Sequence, residues 1–204
     1  MDVVLVDAGG ANIGSVYYAL ERLGVSARLS ADAQVIRAAD RVILPGVGAA
    51  AVGMQRLHEL GLVEVVRNLV QPLLGICLGM QLLFDGSDEG DVPCLGLLPG
   101  RVTKMQSRTG LRVPHMGWNR LDLLRDDPLL RGIDAGAAAY FVHGYAAPVT
   151  ADTLANCTHG TEFAAVVRRG RCWGAQFHPE RSAAVGARVL ENFLSDRLLA
   201  GQPA

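Results

Sequence analysis

Short apolar runs alternate with segments of helical periodicity in the first half of the chain. Each run is predicted as a strand because it is short and mainly apolar. The predicted strands span residues 3–6, 25–29, 41–44 and 73–76. Between them, apolar residues recur at a spacing close to 3.6, which predicts helices over residues 13–23, over 49–70 with an interruption at Gly61, and over 78–84. Continuous apolar strands separated by helices are typical of a parallel sheet covered on both faces.

The second half of the chain has shorter, β-rich runs separated by Gly, Pro and Asp. These runs predict strands over residues 95–98, 101–106, 138–143, 154–157, 163–168 and 172–177, with turn residues at 162–163 and 170–171 that indicate a hairpin. A last helix is predicted over residues 183–199, capped by Ser182. The pattern therefore predicts one α/β domain over residues 1–204. Its open, mostly parallel sheet is flanked by helices and extended by antiparallel or mixed strands.

Composition and charge narrow the function classes. With 204 residues, 50% of them hydrophobic, the chain can fill one large core. Its 19 basic and 20 acidic residues form no run of like charge, which gives no electrostatic reason for a nucleic-acid partner or an anionic membrane surface. No apolar stretch reaches the roughly 18 residues that span a bilayer, and the first residues are not typical of a signal peptide. We therefore expect a cytoplasmic protein.

Metals and nucleotide cofactors are not expected. The spacing of the four cysteines matches neither C-x-x-C nor a zinc finger, and disulfides are improbable in the cytoplasm. Residues 9–11 lack the third glycine of a dinucleotide-binding fingerprint, and residues 45–48 lack the Gly-Lys-Ser/Thr ending of a phosphate loop.

A candidate nucleophile lies in the segment Gly75-Ile76-Cys77-Leu78-Gly79, between a predicted strand and a predicted helix. This is the nucleophile-elbow pattern G-x-S-x-G with sulfur in place of oxygen. Glycines are needed there because the turn is tight, and the helix N-terminus favours a thiolate. The backbone N–H of Leu78 points to the place where an oxyanion would form. The alternative is an inert cysteine in a glycine-rich turn.

A cysteine nucleophile needs a base, and His178 is the candidate. It follows an apolar strand and stands before Pro179 and Glu180. In extended geometry His178 and Glu180 project to the same side, so that the carboxylate can orient the imidazole. The three residues then form a nucleophile, base and orienter triad with Cys77. By itself a histidine at a strand end is more often structural.

A glycine-rich turn, Pro45-Gly46-Val47-Gly48, follows the predicted third strand. In a parallel sheet it lies at the same carboxyl edge as Cys77, where ligands bind in open α/β folds. Its free backbone N–H groups are candidates for a second oxyanion donor. An ordinary glycine turn is equally compatible with these four residues.

Together these motifs resemble the class I (triad) glutamine amidotransferases. The resemblance rests first on residues 75–81 (GICLGMQ) and 177–180 (FHPE). Residues 114–119 (PHMGWN), 140–145 (YFVHGY) and 174–182 (GAQFHPERS) are similar to the branch that supplies ammonia to imidazole glycerol phosphate synthases. The likeness runs in order through nearly the whole chain. It implies a glutaminase that needs no cofactor.

The resemblance implies a role for each matching residue. Cys77 would attack the side-chain amide of L-glutamine to form a glutamyl thioester, His178 would shuttle protons and Glu180 would orient it. Val47 and Leu78 would supply the oxyanion hole. The remaining matches would hold the substrate, and they are Gly46, Gly48, Gln81, His143, Gly144 and Tyr145.

The resemblance also implies a partner, a (β/α)8-barrel cyclase subunit that receives the ammonia through an internal tunnel in a heterodimer. Asn12, Trp118 and Arg181 are the candidate contacts with it. The alternatives are a helix cap for Asn12, a core position for Trp118 and a solvated charge for Arg181.

Three positions depart from the family pattern, and other functions stay open. Ala8 stands where a large residue is usual, Gly144 where Ser or Thr is common, and Arg181 where lysine is usual. One alternative is the glutaminase of another ammonia-using synthase, such as pyridoxal phosphate synthase. The others are a stand-alone γ-glutamyl hydrolase or cysteine peptidase, and an inactive scaffold with the same fold.

Overall fold

The computed structural model describes residues 1–9 and 13–199 as strands, helices and their connections. The strands are β1 (Val3–Val6), β2 (Ala27–Ser30), β3 (Arg41–Gly46), β4 (Leu73–Cys77), β5 (Gly86–Ser87), β6 (Val92–Pro93), β7 (Arg101–Lys104), β8 (His115–Arg120), β9 (Asp122–Leu123), β10 (Ala138–His143), β11 (Tyr145–Ala146), β12 (Thr153–His159), β13 (Thr161–Arg169) and β14 (Cys172–Ala175). The helices are α1 (Ile13–Arg22), α2 (Ala33–Ala38), α3 (Ala50–Glu59), α4 (Val63–Arg67), α5 (Leu78–Gln81) and α6 (Ala183–Leu194), with 3₁₀ turns at Pro128–Leu130, Pro179–Arg181 and Asp196–Leu199.

An eight-stranded sheet in the order β2-β1-β3-β4-β14-β13-β12-β9 forms the centre of the protein. The strands from β2 to β14 are parallel, and those from β14 to β9 are antiparallel. Smaller sheets pair β8 with β10 and join β11, β7, β5 and β6. The predicted fold class is confirmed, because four of the five parallel strands come from the first part of the chain, and β14 joins them to an antiparallel extension from the second part.

Two apolar cores cover the two faces of this sheet. Side chains alternate across a strand, so Val3 and Leu5 pack into one core while Val4 and Val6 pack into the other. The first core includes apolar residues of α1 and α6, and the second includes those of α2, α3 and α4. Both faces are thereby buried, as continuous apolar strands require.

Helices α1, α3 and α4 follow the predicted pattern. The predicted helix over residues 49–70 is divided into α3 and α4 around Gly61, whose φ is +65°. Helix α2 has no counterpart in the predictions. Asp32 caps its N-terminus, because the Asp32 carboxylate accepts hydrogen bonds from the backbone N–H groups of Gln34 and Val35 at 2.7 and 3.0 Å. In the described ranges no helix has the length and apolar character needed to cross a bilayer.

The predictions over residues 78–84 and 95–98 are wrong in part, and for a shared reason. Helix α5 ends at Gln81 because the next carbonyls bond outside the helix. Leu82 and Leu83 accept from the N–H groups of Leu95 and Leu97 at 2.9 and 2.8 Å. Residues 95–98 therefore form a loop wrapped on the end of α5 instead of a strand.

The C-terminal segment differs from its prediction at both ends. Helix α6 ends at Leu194, and Asp196–Leu199 is a 3₁₀ turn. Ser182 does not cap the helix with its side chain. Its hydroxyl donates to the His178 carbonyl at 2.7 Å and accepts from the Tyr140 N–H at 2.9 Å. Ser182 thus fastens the segment that carries His178 to strand β10.

Three neighbouring strands place the candidate motifs at one edge. Strand β4 lies between β3 and β14, and Gly46 pairs in register with Cys77 at the carboxyl ends of β3 and β4. Ala175 pairs with Ile76, so the segment that continues from β14 to His178 leaves the sheet beside Cys77. The carboxyl edge of the parallel sheet is therefore where the site is built.

Candidate active site

Cys77 occupies a sharp turn between β4 and α5, with φ 53° and ψ −113°. Residues other than glycine seldom adopt a positive φ, and this strained turn is a feature of nucleophile elbows. The turn is packed closely against β3. A Cβ added to Gly79 would lie 1.8 Å from the Leu44 carbonyl oxygen, and one added to Gly75 would lie 2.7 Å from the Gly79 carbonyl oxygen. Packing therefore requires both glycines of the motif.

The imidazole of His178 lies between Cys77 and Glu180. Its Nδ1 is 2.8 Å from Glu180 Oε1, and the ring lines the same cavity as the Cys77 side chain. Burial lowers the pKa of His178, but the hydrogen bonds and charges of Cys77 and Glu180 outweigh burial and raise the pKa to about 10. The ring is then protonated at neutral pH. An imidazolium beside a cysteine stabilises the thiolate, which is the nucleophilic form.

A cavity of about 170 Å³ opens in front of Cys77. Its volume suits a small metabolite, since pockets for drug-sized ligands measure about 300–1,000 Å³. The predicted site residues that line it are Val47, Gly48, Cys77, Leu78, Gln81, His143, Gly144, Tyr145 and His178. Gly46 and Glu180 line a void of about 10 Å³ on the other side of His178. The structure thus gathers nine of the predicted catalytic and binding residues around one small cavity, and the other two, Gly46 and Glu180, line the void that also borders His178.

Glu89 also lines the cavity, although sequence reasoning missed it. Its Oε2 accepts a hydrogen bond from the Ala50 N–H at 2.9 Å, at the start of α3. This bond holds the carboxylate at the edge of the cavity. Glu89 lies in a turn far from every recognised motif, and no local signal marked it.

A chain of hydrogen bonds runs from the cavity into the pair of strands β8 and β10. His143 Nδ1 lies 2.8 Å from the Tyr145 carbonyl, which can only accept, so Nδ1 carries the proton. His143 Nε2 therefore accepts from His115 Nδ1 at 3.1 Å, and His115 Nε2 in turn accepts from Asn119 Nδ2 at 3.3 Å. Asn119 also donates to the Thr158 carbonyl at 2.9 Å. The chain fixes one neutral tautomer for each histidine.

Burial keeps these two histidines neutral. It lowers the pKa of His115 to about 3, an effect to which the neighbouring His143 and His159 add. It also lowers the pKa of His143 to about 4, against the opposing effect of the hydrogen bond to Tyr145. In the unfolded chain both would titrate near 6.5.

We expect a loss of stability on acidification that depends on His115. The pKa of His115 is lower in the folded protein than in the unfolded chain. Between about pH 6.5 and 3 only the unfolded chain therefore binds a proton at this residue, and the free energy of unfolding falls as the pH falls through this range. Between pH 7.5 and 5 the free energy of unfolding of the unmodified chain should fall by about 1–2 kcal/mol more than that of a His115→Phe variant. Urea unfolding of both proteins at the two pH values measures these losses. Other titrating groups lower the stability of both proteins equally, so the difference between the losses reports on His115. Equal losses in the two proteins would contradict a neutral, buried His115.

The candidate interface residues have separate positions. Trp118 is 55% exposed and Met116 is 65% exposed on the same face of β8, so Trp118 is not a core residue. The Trp118 ring packs edge-on against Tyr140, with centroids 5.9 Å apart. Arg181 is exposed in the 3₁₀ turn that follows His178. Asn12 lies outside the described residues.

Comparisons with known proteins point to one family. The family profile "Glutamine amidotransferase class-I" matches residues 4–196. The chain is 66% identical over 193 residues to "Imidazole glycerol phosphate synthase subunit HisH" of Xanthomonas axonopodis pv. citri (strain 306), covering 95% of this chain and 96% of that protein. It is 61% identical, with the same coverage, to the protein of that name in Xylella fastidiosa (strain Temecula1).

Solved structures share the fold. A structure of a glutamine amidotransferase aligns with a TM-score of 0.72 at 23% identity, covering 94% of this chain and 96% of that one. The structure of PurLQS from Thermotoga maritima aligns with a TM-score of 0.69 at 22% identity, covering 95% and 97%. A profile match over nearly the whole length, with a cysteine, a histidine and a glutamate assembled at the carboxyl edge, leads to one conclusion: the chain belongs to the class-I glutamine amidotransferase family and is an enzyme of that class.

Proposed function

We propose that this chain is the glutaminase subunit of an imidazole glycerol phosphate synthase. It would hydrolyse L-glutamine to glutamate and ammonia, which a cyclase subunit uses to form imidazole glycerol phosphate and an aminoimidazole carboxamide ribonucleotide. The observation that carries the proposal is the 66% identity to a subunit of that synthase across 96% of its length. The Cys77, His178 and Glu180 arrangement beside a cavity of metabolite size supports the glutaminase step.

The acylation half of the reaction uses Cys77 and His178. The Cys77 thiolate attacks the side-chain amide carbon of glutamine, and the carbonyl oxygen becomes an oxyanion. When this intermediate collapses, the C–N bond breaks and the His178 imidazolium gives its proton to the leaving nitrogen. Ammonia departs, a glutamyl thioester remains on Cys77, and His178 is neutral.

The deacylation half restores the starting state. Neutral His178 takes a proton from water, whose oxygen attacks the thioester carbon. Collapse of the second intermediate expels the Cys77 thiolate and releases glutamate, beside an imidazolium that Glu180 again orients through the 2.8 Å bond. Glu180 acts on the orientation and charge of the ring and does not itself take a proton.

The oxyanion is assigned to two backbone donors. The Leu78 N–H follows the nucleophile at the start of α5, and the Val47 N–H lies on the adjoining turn after β3. Both residues line the cavity with Gly48, whose φ of +97° suits glycine. Preorganised N–H groups of this kind typically lower a barrier by about 3 kcal/mol each.

The amino-acid end of glutamine is assigned to the other side of the cavity. Gln81 lies one helical turn beyond Cys77, and the His143-Gly144-Tyr145 backbone forms the facing wall. Glu89 adds a carboxylate, which suits the α-ammonium of the substrate. The substrate would therefore lie with its amide at Cys77 and its charged end between Gln81, Glu89 and this backbone.

The cyclase partner is assigned to the surface around Trp118. An exposed tryptophan beside an exposed methionine, Met116, is an apolar anchor of the kind enriched in protein interfaces. Arg181, exposed in the turn three residues after His178, is the second candidate contact. Asn12, which lies outside the described residues, stays a candidate contact from the sequence alone. The cytoplasmic setting stays a prediction.

The test is glutamate release by the purified chain, alone and with the cyclase subunit and its ribonucleotide substrate. We expect little release by the chain alone and a large increase in the mixture. High release that the cyclase leaves unchanged would favour a stand-alone hydrolase. Stimulation by a different synthase partner, with none by this cyclase, would replace the acceptor assignment but keep the glutaminase.

A further inference from the structure

Gln176 is a buried amide to which none of the roles above is assigned. It stands between the last residue of β14 and His178, and its side chain has no exposed surface. Its Oε1 lies 2.9 Å from Gln81 Nε2, and its Nε2 lies 3.9 Å from Cys77 Sγ. One side chain therefore contacts both the candidate nucleophile and a candidate substrate-binding residue.

The direction of these hydrogen bonds follows from the Tyr145 carbonyl. This oxygen accepts from Gln81 Nε2 at 2.9 Å, and since a carbonyl cannot donate, the Gln81 amide must present its NH₂ group there. The same NH₂ group then donates to Gln176, which must present its oxygen. Turning the Gln81 amide over would place its oxygen against two other oxygens, and turning the Gln176 amide over would place two NH₂ groups together. The NH₂ group of Gln176 is left facing Cys77.

This arrangement sets the remaining polar groups of the site. Both N–H bonds of Gln81 are used, by Tyr145 and by Gln176, so Gln81 Oε1 is the atom available to the cavity that the residue lines. An oxygen there accepts from an ammonium group. At the sulfur, the Gln176 N–H is a donor that stabilises the negative charge of a thiolate. The Val142 carbonyl, 3.8 Å away, can accept a hydrogen bond only from the neutral thiol, so of these two groups Gln176 alone favours the thiolate.

We propose that Gln176 is a positioning residue, which orients the Gln81 amide toward the amino-acid end of the substrate and donates a hydrogen bond to the Cys77 sulfur. The proposal rests on the proposed glutaminase function and adds a residue to it. Gln176 accepts a hydrogen bond from Gln81 through its oxygen and donates one to Cys77 through its NH₂ group, so a substitution can remove one contact and keep the other.

The test follows the alkylation of Cys77 by iodoacetamide, read by mass spectrometry, and its protection by L-glutamine. Neither measurement needs the cyclase. In Gln176→Met, the new side chain has a similar volume but lacks the amide that forms both hydrogen bonds. The glutamine concentration that protects half of Cys77 should rise about tenfold, and the alkylation rate without glutamine should fall about threefold. In Gln176→Glu, the acceptor for Gln81 is kept while an oxygen faces the sulfur. Half-protection should then stay within about threefold of the unmodified chain, whereas alkylation slows at least about tenfold.

A double-mutant cycle separates positioning from a merely structural role. If Gln176 acts through Gln81, Gln176→Met should change half-protection less than about twofold in a Gln81→Met background. Full additivity, or unchanged protection and alkylation in both Gln176 variants, would overturn the proposal. If Gln176→Met does not fold, slower alkylation with retained protection in Gln176→Glu supports the proposal, and an unchanged alkylation rate overturns it. Absence of glutamine protection in the unmodified chain would instead overturn the glutaminase function itself.

Discussion

Replacing Cys77 with alanine should abolish glutamate release, with a loss of at least about 1,000-fold, because no covalent intermediate can form without the sulfur. Cys77 is the only cysteine that lines the cavity of the described site, and its turn is built on β4 and α5. The variant should fold normally, since alanine fills less space in the same turn. It should also bind the cyclase, which contacts a different surface in the proposed complex.

A matched control uses another thiol. Cys172 is partly buried at the start of β14, where burial raises the pKa of its thiol to about 12 and keeps it unreactive. Cys172→Ala should release glutamate within about twofold of the unmodified rate, measured in the presence of the cyclase. Activity retained in Cys77→Ala, or lost equally in both variants, would contradict Cys77 as the nucleophile.

The fold was predictable where one strand or helix carries its own signal. Strand β1 coincides with its prediction, because four apolar residues are followed by polar and glycine residues. The loop at residues 95–98 was not predictable, since its apolar side chains suit a strand. The carbonyls of Leu82, Leu83 and Phe84, brought near by the end of α5, determine where its N–H groups bond. Contacts between distant segments overrode local preference there.

The same distinction applies to the site. Cys77, His178 and Glu180 could be proposed from sequence because each lies in a short motif whose geometry is local. The roles of His115 and Gln176 could not be proposed from sequence, although His115 lies in the motif PHMGWN and Gln176 in the motif GAQFHPE. Their partners are 28 and 95 residues away, and only the pairing of β8 with β10 and of β14 with β4 brings them into contact. The motifs therefore indicated that the segments around His115 and Gln176 belong to the site, but not which contacts these two residues make.

Replacing Gly186 with alanine should destabilise the protein and disturb the triad together. In a helix, Gly to Ala normally raises stability by about 1 kcal/mol. In α6, however, the new Cβ would lie 1.8 Å from the carbonyl oxygen of Pro179, a backbone atom that cannot rotate away. Either α6 or the turn that holds His178 and Glu180 must move. We expect the free energy of unfolding to fall by about 3 kcal/mol, and glutamate release with the cyclase to fall at least about tenfold.

Gly14→Ala is the control for this prediction, because Gly14 also lies within a helix, near the start of α1. There the nearest atom to an added Cβ is Tyr18 Cε2, at 3.9 Å, which is ordinary contact. Urea unfolding of Gly14→Ala should show stability unchanged or raised by up to about 1 kcal/mol. A stability change of opposite sign in the two variants would show that the loss in Gly186→Ala comes from packing and not from helix propensity. If Gly186→Ala proved as stable and as active as Gly14→Ala, the close approach of α6 to Pro179 could not be what holds His178 and Glu180 in place.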